Sequence, residues 1–567
     1  MIIDARTLSA AERVETDICI VGAGAAGIAL AHEFIGKSQK VVLLESGGFD
    51  FDADTQSLYA GDNTGLQYFP LNGARLRYFG GTTNHWGGYC QPLGDIDFEQ
   101  RDWIPHSGWP VNRADLAAYY ARAQDLLGLD PDGWETDFWT AQDRFPAWAL
   151  NDERIITRVA QISPEPIRRF GKHYRDAVTT AVNIDTYLHA NVTQIVTNES
   201  GQQVDHVEVT TLEGNQFVVA AKQFVLAAGG LENPRLLLLS DRQQTNGLGN
   251  EHDLVGRFFM EHPRFDAATI IPTNPNLPVG FYSLHKVNGK SIKGYLSLSQ
   301  AAQREEELVD VQVRMKPVYS EAYASAFDSA DVVSLRAIMK MFQGKRSFDD
   351  FGRHFRNVVA DLGSFQSLFA PSAPFPVVNP FAVSKLRQIE EIDQLLVDYL
   401  GDVAIFGFEE LFNWIPVEHI EVLTRIDQAP NPNSRITLTD ERDRLGQRKA
   451  KLHWELTELD KRSVLRTLEL IGNELGRSGL GRLRIDLEDD LTTWPDGVRG
   501  GYHHMGTTRM NDDPTQGVVD GNCQVHGIGN LYIAGSSVFP TGGLGTPTLT
   551  LLALTLRLAD RLQEVVT

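Results

Sequence analysis

Short apolar runs, each cut off by glycine or by a polar stretch, set the rhythm of this chain. Residues 18–21 are continuously apolar, an Ala-rich stretch follows to about Phe34, and 41–44 are apolar again before Glu45. Strands covered on both faces read as unbroken apolar runs and alanine favours helix, so 17–48 predict one βαβ unit. Between 185 and 220 the period drops to two. Residues 186–189, 192–197, 204–211 and 216–220 alternate as strands do, the last pair flanking the turn Glu213-Gly214-Asn215 like a hairpin. The apolar run 224–228 then meets Gly229, Gly230 and a Leu-rich helical stretch. That predicts a second strand–turn–helix junction of the same nucleotide-binding domain, which is therefore discontinuous in sequence.

Residues 116–127 carry helical periodicity behind Asn112 and Asp115, either of them a candidate cap. Residues 50–70 show no period and read as irregular. From 265 to 490, alternating segments such as 309–313 and 421–424 predict strands, and 349–362, 385–400 and 456–475 predict helices. The Pro- and Asn-rich 429–435 predict a turn between strands. Near the end, 531–534 read as a short strand before Gly535. Thr546-Pro547 opens a last helix, with Thr as N-cap and Pro at the first helical position. The expected fold is α/β, α+β overall. Residues 1–264 carry the nucleotide-binding domain with inserted elements at 100–180, 265–490 form a mixed sheet-and-helix substrate domain, and 491–567 return to the first.

The glycines give the first unit its chemistry. Gly22, Gly24 and Gly27 stand in the G-x-G-x-x-G spacing between strand and helix. Gly22 permits the tight turn, Gly24 lets a pyrophosphate approach the backbone, and Gly27 lets helix and strand pack closely. The helix N-terminus offers free N–H groups and a positive dipole end to phosphates. Glu45 ends the second strand, where a carboxylate accepts hydrogen bonds from a ribose diol. The motif does not separate FAD from NAD. A second Gly-rich stretch, 75–90, surrounds His85 and Trp86 and is unfit for helix or central strand. It reads either as a surface loop or as backbone wrapped closely against a cofactor.

Composition narrows the partners. Of 567 residues, 42% are hydrophobic and 22% charged, ordinary for a globular protein of two to four domains. The formal net charge of −22 repels phosphate backbones and anionic membranes, so no nucleic acid is expected. No run reaches the ~18 apolar residues that span a bilayer. Residues 1–16 lack the basic start and apolar core of a secretory signal, so a cytoplasmic location is expected, or periplasmic export bound to a signal-bearing partner. Cys19, Cys90 and Cys523 lie too far apart for a metal or disulfide spacing, and no metal is expected.

The segments GAGAAG (22–27), ESG (45–47), GGTTNHW (80–86), LAAGGLENP (226–234), YHHMGT (502–507) and the stretch 529–550 together resemble the glucose–methanol–choline (GMC) oxidoreductase family, from end to end of the chain. The chain is most similar to the branch of bacterial sugar dehydrogenases and pyranose 2-oxidase. The resemblance implies FAD on a Rossmann-type domain and oxidation of a sugar or small alcohol, CH–OH to C=O, by hydride transfer to flavin N5. Histidine is the natural base near neutral pH. The family register makes His503 that base, with His504 the adjacent alternative. The family's second catalytic residue is a His or Asn just before the Pro of the last helix. Here it is Thr546, which either hydrogen-bonds the substrate oxygen or only caps the helix.

The resemblance also assigns cofactor contacts. Gly22, Gly24, Ala25, Ala26 and Gly27 belong to the diphosphate turn, Glu45 and Ser46 follow the second strand, and Val192 holds the adenine end through its backbone. Gly80, Gly81 and Thr82 belong to the flavin loop, with Asn84, His85 and Gly87 lining the isoalloxazine. Ala228, Gly229, Gly535 and Ser536 close strand ends. Pro547 and Thr548 begin the last helix, whose N–H groups would face the flavin's pyrimidine side. His85 matches the position of a histidyl–flavin bond in pyranose 2-oxidase. Related dehydrogenases have His there without the bond, so FAD is expected to be non-covalent, with a link through His85 as the alternative. A dehydrogenase using an acceptor other than oxygen is implied. An oxygen-using pyranose or glycoside oxidase, a catalytically impaired flavin-binding protein and a nicotinamide enzyme are the rivals. Glu409, Asn413 and Trp414 are substrate-side candidates, and a small partner subunit is left open. The purified protein is expected to be yellow with a flavin spectrum. A colourless protein that binds nicotinamide would refute the cofactor.

Overall fold

A computed structural model describes residues 1–8, 12–319, 353–354 and 417–566. The helices expected over 349–362 (apart from 353–354) and 385–400 lie outside the described residues, as do Glu409, Asn413 and Trp414.

The predicted βαβ unit is strand Glu12–Val21, helix Ala25–Glu33 and strand Val41–Leu44. It sits in a sheet ordered Ile2–Asp4, Ile184–Leu188, Val41–Leu44, Glu12–Val21, Gln216–Leu226, Val204–Thr210, Asn191–Thr197. The first five strands pair in parallel, and the last three form an antiparallel meander. Ile18, Leu43 and Phe224 are fully buried, which accounts for the unbroken apolar runs. The runs 216–220 and 224–226 prove to be one strand, whose first half pairs with Val204–Thr210 and whose last three residues pair in parallel with Leu531–Ile533. The final helix, Pro547–Val565, packs against Ala25–Glu33 and Ala117–Leu127. Arg122 links all three, pairing with Glu33 and, at 2.8 Å, with Asp560. Ahead of Ala117–Leu127, Asn112 and Asp115 cap reciprocally, each side chain accepting the other's backbone N–H.

A second, antiparallel sheet is ordered Gly481–Ile485, Arg264–Pro272, Val417–Ile426, Val311–Tyr319, Lys290–Leu298, Ile155–Ile162, Tyr89–Cys90. The strands expected at 309–313 and 421–424 are thus present and longer. Helix Glu458–Arg477 packs against this sheet and is opened by a capping box between Thr457 and Asp460. Arg264 stands directly opposite Arg425 across one strand pair, and Gln312 opposite Arg425 across the next. Side chains alternate along a strand, so Arg264, Arg314 and Arg425 share one face of the sheet.

The stretch 50–70 is not irregular. It holds helix Ala53–Ser57 and strand Gly61–Gly65. Asp52 caps the helix by accepting the Thr55 N–H at 2.7 Å. The strand is a polar edge whose partner, Arg448–Trp454, is far away in sequence, so no local apolar period announces it. No described helix is long and apolar enough to cross a membrane.

The first glycine turn is sterically closed on one side and open on the other. A Cβ on Gly27 would overlap the Gly22 carbonyl oxygen, whereas a Cβ on Gly24 would meet nothing within 4 Å. Gly22 holds φ +104°, with the Ala227 carbonyl oxygen 2.8 Å from where its Cβ would stand. Gly27→Ala is therefore expected to destabilise the protein by at least about 1–3 kcal/mol, read as a lower denaturant midpoint. An unchanged midpoint would mean that helix and strand separate without cost.

Candidate active site

One cleft of about 720 Å³ takes lining from both sheets. Its walls run from Gly22, Gly24, Glu45 and Ser46 to Tyr89, Arg264, Arg314, Arg425, His503 and Thr546. Two segments far apart in sequence therefore meet at a single site.

A buried carboxylate holds the His503 segment in place. Glu261 is fully buried, and its Oε2 accepts the N–H groups of Gly501 (2.8 Å), His503 (3.0 Å) and His262 (3.0 Å). Its Oε1 accepts the Tyr68 hydroxyl. Met260 and Met505 exchange backbone hydrogen bonds at 3.0 Å on either side, and Ser536 donates to the His504 carbonyl at 2.8 Å. Burial raises the proton affinity of Glu261, and its hydrogen bonds oppose that.

The imidazole of His503 faces an unusual pair. His262 Nε2 lies 2.5 Å from the Gly543 carbonyl, which can only accept, so that nitrogen carries the ring hydrogen. The lone pair on His262 Nδ1 then lies 2.7 Å from both Arg425 Nη2 and His503 Nδ1. Arg425 Nη2 is 2.8 Å from His503 Nδ1. Burial, then the Arg425 charge, hold both histidines well below the usual histidine range. Arg425 itself is lowered to about 9 by burial and then by the Arg314 charge. His504 points elsewhere. Its Nε2 donates to the Tyr68 hydroxyl at 2.8 Å, and burial pulls it down to about 3.

Residues 430–555 match the GMC oxidoreductase family, and residues 17–247 match the FAD dependent oxidoreductase family. The chain carries the C-terminal domain of a GMC oxidoreductase. It is 23% identical over 606 residues to the 2-methyl-1,2-propanediol dehydrogenase of Mycolicibacterium austroafricanum, covering 96% of this chain and 95% of that one. It is 21% identical over 627 residues to the fructose dehydrogenase large subunit of Gluconobacter japonicus, covering 97% and 98%. Among solved structures, pyridoxine 4-oxidase from Mesorbium loti superposes with a TM-score of 0.50 at 17% identity, covering 97% of this chain and 99% of that one, a likeness of fold.

This oxidoreductase is FAD-dependent, and the cleft suits that cofactor. Helices Ala25–Glu33, Gly229–Leu239 and Pro547–Val565 all begin at it without a side-chain cap, leaving N–H groups for anionic or electron-rich atoms. Ala25, Ala26, Val192, Ala228 and Gly229 line it, as do Gly81, Thr82, His85 and Gly87. Gly535, Ser536, Pro547 and Thr548 complete that side. Three expected contacts stand back from it. Gly27 packs under the turn, and Gly80 (φ +96°) ties the flavin loop to the turn by donating to the Ala23 carbonyl at 2.8 Å. Asn84, expected to line the isoalloxazine, does not line the cleft, because its amide donates to the Phe79 carbonyl at 2.9 Å.

Two further expectations change in detail. Both Glu45 oxygens already accept backbone N–H groups, from Ala23 and Gly47 at 2.9 Å, so Glu45 also pins the glycine turn. Thr546 occupies the N-cap position but does not cap. Its hydroxyl donates to the Tyr89 carbonyl at 2.6 Å instead. Sequence reasoning missed Tyr68, Glu261, His262, Arg264, Arg314 and Arg425. A signal was present, since Glu261-His262-Pro263-Arg264 follow the apolar Phe258-Phe259-Met260 with no room for a solvent-facing strand period. Among the described residues no cluster of His, Cys, Asp or Glu is arranged to hold a metal.

Glu261→Ala strands three N–H groups, that of His262 buried and those of Gly501 and His503 partly so, a buried one costing about 1–3 kcal/mol. Thermal unfolding of the holoprotein is expected to show a large loss of stability for Ala and a smaller one for Gln, which keeps one acceptor. Wild-type stability in the Ala variant would contradict this anchor.

Proposed function

We propose that this FAD enzyme oxidises a CH–OH carbon of a sugar or small alcohol, with His503 as the general base. Bound FAD supplies the hydride acceptor. The observation that carries the proposal is the His262 lone pair beside His503. In this scheme His503 Nδ1 carries a hydrogen and donates it into that lone pair, which Arg425 Nη2 shares, and His503 Nε2 is left bare, the state in which an imidazole takes a proton. Glu261 fixes the backbone of that histidine, and the low proton affinity of the ring keeps it neutral at rest. His504, engaged with Tyr68, is not the base in this scheme.

Thr546 plays a reduced part. With its hydrogen committed to Tyr89, it offers only lone pairs toward a substrate and cannot donate to an oxygen gaining charge. Residues 1–264 and 491–567 grip the cofactor and 265–490 face the substrate, with Ile155–Ile162 lent to the substrate sheet from the first segment. The names of two relatives that align along nearly the whole chain, a diol dehydrogenase and a fructose dehydrogenase, support an alcohol substrate and an acceptor other than oxygen. The second relative is called a large subunit, which supports a smaller partner here too.

His503→Ala is expected to keep its flavin but to be bleached about 10²–10⁴-fold more slowly by a responsive alcohol in stopped flow. Bleaching at the wild-type rate would remove His503 from the base role, and peroxide formed in step with turnover would make the enzyme an oxidase.

A further inference from the structure

The substrate end of the cleft is cationic in a chain whose net charge is −22. Arg264, Arg314 and Arg425 all line it. Arg264 and Arg425 are directly opposed across a strand pair, where like charges destabilise a sheet. Among the described residues no carboxylate pairs with any of the three, and Arg264 makes no side-chain hydrogen bond. Arg425 is 5% exposed, its Nε has no partner, and its Nη2 meets only the two imidazoles. Arg314 donates to Gln312 at 2.5 Å and lies over the Tyr89 ring, 5.3 Å from its centroid. Behind them Lys293 is lowered to about 8, by burial first and then by the Arg314 charge. The carboxylates of these strands lie elsewhere: Glu421 pairs with Lys316, and Asp266 and Glu418 are exposed. Among the described residues no carboxylate touches this cluster, the buried Glu261 acting on Arg425 only across the His503 segment, and guanidinium forks match carboxylate and phosphate oxygens in pairs.

We propose that the alcohol this enzyme oxidises carries its own oxyanion, a carboxylate or phosphate, and that Arg264, Arg314 and Arg425 receive that group while the CH–OH carbon faces His503. The inference rests on the alcohol-oxidation proposal and narrows its substrate class to sugar acids, hydroxy acids or sugar phosphates. It gives Arg425 two jobs with one charge. Unscreened, that charge opposes a proton on His503, and an oxyanion against the guanidinium offsets the opposition. The contact that seats the substrate thus also favours proton uptake by the imidazole.

The test uses holoenzyme and matched alcohols: glucose against gluconate, glucuronate and glucose 6-phosphate. At least one anionic member is expected to reduce the flavin with a kcat/KM about 10- to 100-fold above glucose, the range of one charged hydrogen bond. In Arg264→Gln, chosen because that side chain has no partner to lose among the described residues, the anionic-to-neutral ratio is expected to fall toward one. Carboxylate or phosphate preference within the panel identifies the oxyanion. Calorimetry with oxalate supplies a readout without turnover, with binding expected in wild type and weakened at least tenfold in Arg264→Gln. Glucose reacting as well as every anionic member, or a ratio unmoved by Arg264→Gln, would overturn the proposal. So would a shifted flavin midpoint potential with no change in preference, which would assign the arginines to the flavin. If no alcohol of either kind bleaches the flavin, alcohol oxidation itself falls, and the oxalate titration still decides the anion site by itself.

Discussion

One carboxylate joins the two halves of this site. Glu261 is fully buried at the entry to the second sheet, yet three of its four hydrogen bonds come from backbone N–H groups, two of them in the segment that carries His503. A buried carboxylate without donors costs several kcal/mol, and buried N–H groups without an acceptor cost comparably. Each therefore requires the other. The consequence is positional: His503 is placed by main-chain hydrogen bonds to a rigid neighbour, so its ring needs no side-chain freedom to find the cleft. Tyr68 extends the same knot to His504 and fills the remaining acceptor, which separates the roles of two adjacent histidines.

The parts legible in the sequence were those whose physics is local. Gly22, Gly24 and Gly27 announce a turn because the steric demand falls within six residues, and the structure meets it as read, with open space above Gly24 and none beside Gly27. Thr457 and Asp460 cap a helix that its periodicity had already marked. The parts that were not legible depend on partners distant in the chain. Gly61–Gly65 is a strand only because Arg448–Trp454 lies beside it, and a polar edge strand has no apolar face to show. Glu261 and Arg425 look like ordinary charges until the fold places them beside His503, more than 70 positions away from either.

Thr546 shows how a local rule can be right about the place and wrong about the bond. Threonine before proline is a good N-cap by propensity, and the helix does begin there. The hydroxyl turns to the Tyr89 carbonyl instead, which leaves the helix's first N–H groups uncapped at the cleft. Thr546 becomes a strut between the last helix and the strand Tyr89–Cys90. The polar group that does meet the His503 ring is Arg425, which reaches it from the same sheet that holds Tyr89.

The closing strand, Leu531–Ile533, lies beside Phe224–Leu226, and the last helix rests on the first. Seen from the ribosome, this order has a cost in time. While the chain emerges, the nucleotide turn is made early, but His503, the neighbour strand Leu531–Ile533 and the helix Pro547–Val565 that closes the cleft follow some 480 residues or more behind it. Cofactor capture therefore waits for the segment that runs from His503 to the helix Pro547–Val565, and until Leu531–Ile533 emerges the open sheet edge at Phe224–Leu226 is a surface that a chaperone has reason to shield.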